Sequence, residues 1–198
     1  MIKYPNGKKY LTPATKQNKK SNIEISISSA NRGMDLENDI NISNEYYKDK
    51  GIALISKRPT PINIVKVDYT KGAKIVDAYF ETQSTTDYNG IYKGRYIDFE
   101  AKNTKNKTSF PLANISLHQI EHLKNVISHN GIALCIINFE TLNLTYLVDA
   151  SLIIEYHTKK ERKSIPLDVV KSKGIEIKRG YNPRLFYIDA IEEKYFKD

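Results

Sequence analysis

Asp87, Glu100 and Lys102 are the residues of this chain whose types and spacing best support joint chemistry. From Tyr96 to Lys102 the sequence alternates, so that Ile97, Phe99 and Ala101 point one way, into a core, and Asp98, Glu100 and Lys102 point the other. A strand that buries two carboxylates and a lysine on one face is costly unless they are paired, and a cation facing Glu100 would compensate. Asn89-Gly90 is a turn signal, because both residues tolerate positive φ, and such a turn carries Asp87 back beside Glu100. Two carboxylates held close together repel unless a proton or a metal lies between them. An oxygen-rich site of this kind suits Mg²⁺, which binds through one or two carboxylates, keeps several waters and often touches a phosphate. Mn²⁺ is the expected substitute.

These residues need elements to hold them. Asn31 can cap a helix running to about Lys50, with Asp35 and Glu37 in its first turns, an inner stripe of Leu36, Ile40 and Tyr47, and Gly51 as its stop. Glu37 adjoins that stripe and is either an additional acid at the cluster or a helix-start carboxylate. Arg32 is a candidate phosphate contact. A short buried strand is expected at 52–56. The run Lys57-Arg-Pro-Thr-Pro61 breaks it, since two prolines remove ladder donors. Strands at 62–69 and 74–80 read as a hairpin around Lys71-Gly72. Its Lys66, Lys71 and Lys74 either meet a polyanion or only blunt a sheet edge.

After the central strand comes a polar loop, 103–110, with Lys105 and Lys107, and Pro111 bars simple continuation. Ser116 and Gln119 have the spacing of a capping box. Leu117, Ile120, Leu123 and Ile127 give the following helix an apolar face, and Gly131 stops it. The apolar run 132–139 reads as a central strand buried on both faces, with 145–148 beside it. A helix at 150–161, a helical turn at 167–171, a strand at 176–179 and a helix at 188–196 complete the chain. This last third speaks of packing and says little about chemistry.

A chain of 198 residues with 40% hydrophobic content suits one α/β domain, here 30–198, behind a flexible basic arm at 1–29. That arm has no apolar region of the kind a secretory leader needs, and no apolar run reaches the length of a membrane span. The single cysteine, Cys135, forms no intrachain disulfide and reads as a buried thiol in a reducing cytoplasm. The net charge of +8 is concentrated: residues 1–30 carry six Lys against one Glu, and 90–110 carry four Lys and one Arg against Asp98 and Glu100. A positive surface beside an acid cluster suits a metal-dependent enzyme acting on a polyanion. Lys93 and Arg95 are further candidate phosphate contacts.

One competing motif is His118-Gln-Ile-Glu-His122, which matches the inverted zincin pattern. His118 and His122 share a helical face and could bind Zn²⁺ with Glu121 as base, but a third ligand and a cleft are not evident. The alternative is two polar helix positions, or phosphate contacts when protonated.

The spacing of Asp87 from Glu100-x-Lys102 resembles the PD-(D/E)xK nuclease superfamily. The wider text is more specific. Ser84-Thr-Thr-Asp-Tyr-Asn-Gly90, Tyr92-Lys-Gly-Arg-Tyr-Ile-Asp-Phe-Glu-Ala-Lys102 and Thr104-Lys-Asn-Lys-Thr-Ser-Phe-Pro111 resemble the RecU family of Holliday-junction resolvases. So do Ile2-Lys-Tyr-Pro-Asn-Gly7, Asn31-Arg-Gly-Met34 with Leu36-Glu37, Lys57-Arg-Pro-Thr-Pro61 and Gly180-Tyr-x-Pro-Arg184. The resemblance runs nearly end to end. It implies a restriction-endonuclease-like αβββαβ core with a mixed central sheet and a protruding β-hairpin stalk, inserted at about 57–82, that enters a four-way DNA junction.

The resemblance also implies that Thr85, Asp87, Glu100 and Gln119 hold Mg²⁺, with Gln119 acting directly or through water. Thr85 either joins that set or only shapes the turn, and Gln119 either joins it or only serves the capping box. Lys102 would position a water or neutralise charge in the transition state. Asp98 could instead pair with Arg95. A homodimer is implied, with two equivalent sites for two strands, cleavage to 5′-phosphate and 3′-hydroxyl ends, and the RecA recombinase as a further candidate partner. Two other classes stay open: another restriction-type nuclease on the same fold, and a DNA-binding modulator of RecA that does not cut.

Overall fold

Helix α1 (Asn31–Asp49) leads into strand β1 (Leu54–Lys57), a hairpin of β2 (Ile62–Asp68) and β3 (Lys74–Phe80), then β4 (Tyr88–Tyr92) and β5 (Arg95–Thr104). Short β6 (Ser109–Pro111) precedes α2 (Leu117–Ser128), β7 (Ile132–Phe139) and β8 (Leu144–Asp149). The chain closes with α3 (Ala150–Lys159), β9 (Ser164–Pro166), α4 (Leu167–Lys173), β10 (Ile175–Glu176) and α5 (Tyr187–Tyr195). The structure is a computed structural model that describes residues 31–81 and 85–197, of which 31–35 by backbone alone. The arm expected at 1–29 and the side chain of Arg32 lie outside the described residues. No helix among the described residues is long and apolar enough to cross a membrane.

Six strands form the main sheet in the order β1-β4-β5-β7-β8-β10. Within it only β5 and β7 run parallel, so the sheet is mixed. A parallel pair needs a crossover, and α2 supplies it. The strand β7 is buried at every position, as a continuous apolar run at the centre of a covered sheet should be. Its alternate residues divide between two cores. Ile132, Leu134 and Ile136 join Leu36, Ile40 and Tyr47 of α1 and Ile188 and Ile191 of α5. Ala133, Cys135 and Ile137 join Ile120 and Leu123 of α2, Ile153 of α3 and Val170 of α4. The result is a sheet between two helical layers, with Cys135 buried and free.

Five local expectations change. The strand expected to be buried at 52–56 is Leu54–Lys57, with only Ile55 buried. The turn into β5 is made at Lys93 and Gly94, with φ of 46° and 76°, and not at Asn89-Gly90. Two consecutive residues at positive φ suit a two-residue hairpin. Gly90 serves another purpose inside β4: a Cβ there would lie 2.0 Å from the Leu54 carbonyl oxygen, so only glycine lets β1 approach. The inner face of α2 runs through Ile120, Leu123 and Val126, whereas Leu117 and Ile127 are exposed. The helix leaves through Asn130 at positive φ, ahead of Gly131. The strand expected at 176–179 is shorter, Ile175–Glu176, and is followed by an isolated bridge between Arg179 and Leu185.

The hairpin of β2 and β3 forms its own two-stranded sheet. Every residue of β3 is exposed, and register shifts between Ile64 and Val67 mark a bulge in β2. Pro111 ends β6, which pairs only with β9, an edge position where proline is tolerated.

Candidate active site

The antiparallel register of β4 and β5 pairs Tyr88 with Phe99, so Asp87 falls one step further on, opposite Glu100. The two residues are cross-braced. The Asp87 amide donates to Glu100 Oε2 at 3.2 Å, and the Ala101 amide donates to Asp87 Oδ2 at 3.4 Å. The other oxygen of Glu100, Oε1, accepts from Gln119 Nε2 at 2.7 Å and pairs with Lys102 Nζ at 2.7 Å. Glu100 is fully buried, while a quarter of the Lys102 side chain reaches solvent. Burial first, then the hydrogen bond and charge of Asp87, push the Glu100 carboxyl up to about 8, against the downward pull of Lys102. The thiol of Cys135, opposite Glu100 on β7, is pushed up by the same burial and by the charge of Glu100.

Gln119 does two things at once. Its Oε1 accepts the Ser116 amide at 2.9 Å and Ser116 Oγ accepts the Gln119 amide, so the expected capping box forms. The remaining amide nitrogen is thereby aimed at Glu100. The oxygen expected to face a metal is thus on the cap side, and the nitrogen is on the site side. Thr85 is half-buried in a bend two residues before Asp87.

The donors are hard oxygens around a buried acid whose charged form is disfavoured, a combination that fits a divalent cation. Among the described residues no group of three or more His, Cys, Asp and Glu converges. An ion here would therefore take two carboxylates and draw its other ligands from neutral oxygens, as Mg²⁺ does. The zincin pattern does not assemble: His118 and Glu121 are exposed, and His122 Nε2 lies 3.1 Å from Asp98.

Asp98 belongs to a second cluster. It pairs with Arg58 Nη2 at 2.6 Å, and accepts from the Tyr96 hydroxyl at 2.7 Å and from the Thr86 hydroxyl. The expected partner Arg95 cannot reach it. Residues three apart on a strand point to opposite faces. Arg95 donates to the Asn130 carbonyl at 3.3 Å and lies 5.8 Å from the centre of the Phe196 ring. Lys93 pairs with Glu192 of α5. Glu37 pairs with Lys57 at the start of the Lys-Arg-Pro-Thr-Pro run. It stands apart from Asp87 and Glu100 but shares their field: after burial, the charges of all three raise the Tyr88 hydroxyl.

Lys66, Lys71 and Lys74 are exposed on the hairpin, and Lys105 and Lys107 are exposed beyond β5. Sequence reasoning misses two features. One is the role of Arg58, whose only signal is its place in the Lys-Arg-Pro-Thr-Pro run. The other is the cationic run Lys159-Lys160-Glu161-Arg162-Lys163, which leads into β9. The Leu112 amide bonds to the Lys163 carbonyl at 3.0 Å and the Leu167 amide to the Thr108 carbonyl at 2.8 Å, so this run and the loop after β5 sit at the two ends of one small sheet. Among the described residues, Lys105, Lys107, Lys160, Arg162 and Lys163 form no ion pair.

Glu100 and Lys102 on β5, with Asp87 just ahead of β4, form an arrangement compatible with a nuclease-type site. Comparison with known proteins narrows the class. The family described as Recombination protein U matches residues 31–193. The chain is 50% identical over 200 residues to the Holliday junction resolvase RecU of Geobacillus kaustophilus (strain HTA426), covering 98% of each chain. It is 51% identical over 201 residues to the Holliday junction resolvase RecU of Geobacillus sp. (strain WCH70), covering 99% of this chain and 98% of that one. The Holliday junction resolvase RecU of Bacillus cereus (strain G9842) is 50% identical over 200 residues, covering 98% of each chain. The chain belongs to the RecU family.

Proposed function

We propose that this protein is a Mg²⁺-dependent, structure-selective endonuclease that resolves Holliday junctions by paired symmetric nicks in recombination and repair. The observation that carries the site assignment is the cross-braced Asp87–Glu100 pair with Lys102 on the same strand face. Family membership carries the substrate. Asp87 and Glu100 would hold the ion, with Thr85 as a further ligand and Gln119 acting through water, since its nitrogen and not its oxygen faces the site. When bound, such an ion polarises the scissile phosphate and lowers the pKa of a water. A bound cation would supply the positive charge that Glu100 lacks, since burial and Asp87 push its carboxyl up to about 8. Lys102, 2.7 Å from Glu100, is placed to orient a water or to balance charge on the phosphate.

The element order supports a restriction-endonuclease-like core: α1, then β1, β4 and β5, then α2 and β7, with the β2–β3 hairpin set between the first two strands as a stalk for the junction centre. A four-way junction has two strands to cut, and a C₂ homodimer presents two equivalent sites. The exposed lysines of the hairpin and of the loop beyond β5 would contact phosphates, so binding weakens steeply with salt. RecA is a further partner candidate, and the cytoplasm the expected compartment.

The test is cleavage of a synthetic four-way junction in Mg²⁺ beside linear duplex of the same sequence. Paired nicks in the junction alone support the reading. Tight binding without cutting in Mg²⁺ or Mn²⁺ would favour a non-cleaving modulator, and equal cutting of linear duplex would favour a general nuclease.

A further inference from the structure

We infer that Arg58 is a positioning residue that keeps Asp87 in register with Glu100; this rests on the metal-dependent nuclease reading above. Arg58 grips both sides of that register. Its backbone amide donates to the Asp87 carbonyl at 2.7 Å, and its Nη1 donates to Thr86 Oγ1 at 3.1 Å and to the Thr86 carbonyl at 3.4 Å. On β5, its Nη2 donates to Asp98 at 2.6 Å and to the Tyr96 hydroxyl at 2.8 Å. One planar, always-charged fork thereby ties the segment carrying Asp87 to the strand carrying Glu100.

The strengths are unequal. The two bonds that directly join Asp87 to the Glu100 stretch are long, 3.2 and 3.4 Å. The Arg58–Asp98 bond is short, charge-assisted and anchored on a fully buried carboxylate. The last register pair of β1 with β4 is Lys57 with Tyr88, so Asp87 and Thr86 lie just past the ladder. Arg58 is the residue that continues the grip there. Pro59 follows it at once and removes a backbone donor. The bonds of Arg58 go to Thr86, Asp87, Tyr96 and Asp98, with His122 Nε2 3.2 Å from its Nη1, so its effect on the metal-binding acids passes through the placement of Asp87.

The test uses Arg58→Ala, Arg58→Lys and Thr86→Val in the full-length protein. Four quantities are measured: thermal midpoint, junction affinity, Mn²⁺ affinity of the free protein by calorimetry, and single-turnover cleavage with enzyme saturating over junction. The rate is taken per folded molecule. Arg58→Ala is expected to slow saturated cleavage about 100-fold, the scale of an ångström-sized displacement. It should also weaken Mn²⁺ binding, with junction affinity nearly unchanged. Arg58→Lys restores the charge but not the fork, and should recover roughly tenfold of that loss. Thr86→Val removes one arm of the grip and should slow cleavage about tenfold, adding little to Arg58→Ala in the double variant.

Saturated cleavage by Arg58→Ala at the wild-type rate overturns the proposal. So does a loss that saturating enzyme restores, which would make Arg58 a phosphate contact. If Arg58→Ala does not fold, unchanged saturated rates in both Arg58→Lys and Thr86→Val overturn it. If the wild-type protein cuts no junction in either metal, the nuclease reading falls first.

Discussion

Two carboxylates sit two residues apart on the same face of β5, both fully buried, and their surroundings treat them oppositely. Asp98 is saturated: a guanidinium, two hydroxyls and an imidazole surround it. Glu100 faces a lysine and an amide on one side and a second carboxylate on the other, and its carboxyl is pushed up to about 8. Equal burial of like groups therefore yields a structural anchor in one place and a site short of positive charge in the other. The difference lies in which neighbours the register supplies, since Arg58 reaches the first and Asp87 the second.

Breaking the Asp87–Glu100 cluster should have the largest effect. Asp87→Ala is expected to lower junction cleavage by about a thousandfold or more, because the proposed metal site would lose one of its two carboxylates. Junction affinity measured in Ca²⁺ should change little. If cleavage persists, the pair is not the metal site.

Stability separates the two acids next. Asp98→Asn leaves the half-buried Arg58 without its counter-ion and should cost about 2–3 kcal/mol in urea unfolding, less than for a wholly buried pair. Glu100→Gln removes a charge the fold disfavours, so in metal-free buffer at pH 8 it should leave stability unchanged or raise it. Equal losses in both variants would mean that the two carboxylates play the same part in the fold.

The pH dependence sharpens the same point. Glu100 has a folded pKa of about 8, above its ordinary value of 4.5. Between those values the folded state binds more protons than the unfolded state, so metal-free stability should fall as pH rises from about 5 to 8. The wild-type curve minus that of Glu100→Gln isolates this slope. Calorimetry of Mg²⁺ binding near pH 7 in buffers of different ionisation enthalpy should show proton release, and its absence would mean that Glu100 is already ionised.

The smallest effect concerns the basic run leading into β9. Replacing Lys160, Arg162 and Lys163 by Ala should reduce the slope of log affinity against log salt by about 0.9 for each phosphate that is no longer neutralised. Cleavage at saturation should hold. An unchanged slope would place the DNA elsewhere.

Much of this is legible in the residues. The alternation from Ile97 to Lys102 places β5 and its two faces, the capping box places α2, and the apolar run 132–139 places the buried central strand. Asp87 is expected beside Glu100, and the register puts it there, although the turn that does so is Lys93-Gly94. Asn89-Gly90 misleads because local propensity cannot report that β1 passes so close that only glycine fits. Arg58 is invisible for a different reason. Its partners, Thr86, Tyr96, Asp98 and His122, lie 28 to 64 residues away, and no local pattern encodes them. The Lys159–Lys163 run looks like the charged end of a helix because the segment it meets, Pro111 and Leu112 at the end of β6, is distant in the chain.

The parallel pairing of β5 with β7 also bears on the timing of assembly. Strands that run the same way cannot close as a hairpin; they must wait for the intervening crossover. During synthesis, Glu100 and Lys102 leave the ribosome well before Cys135 and Ile137, their register partners. The residues that would bind metal therefore have no floor beneath them until α2 has packed and β7 has emerged. A nascent chain that stalls before β7 would carry every acid of the site and still lack the strand against which Glu100 and Lys102 are set.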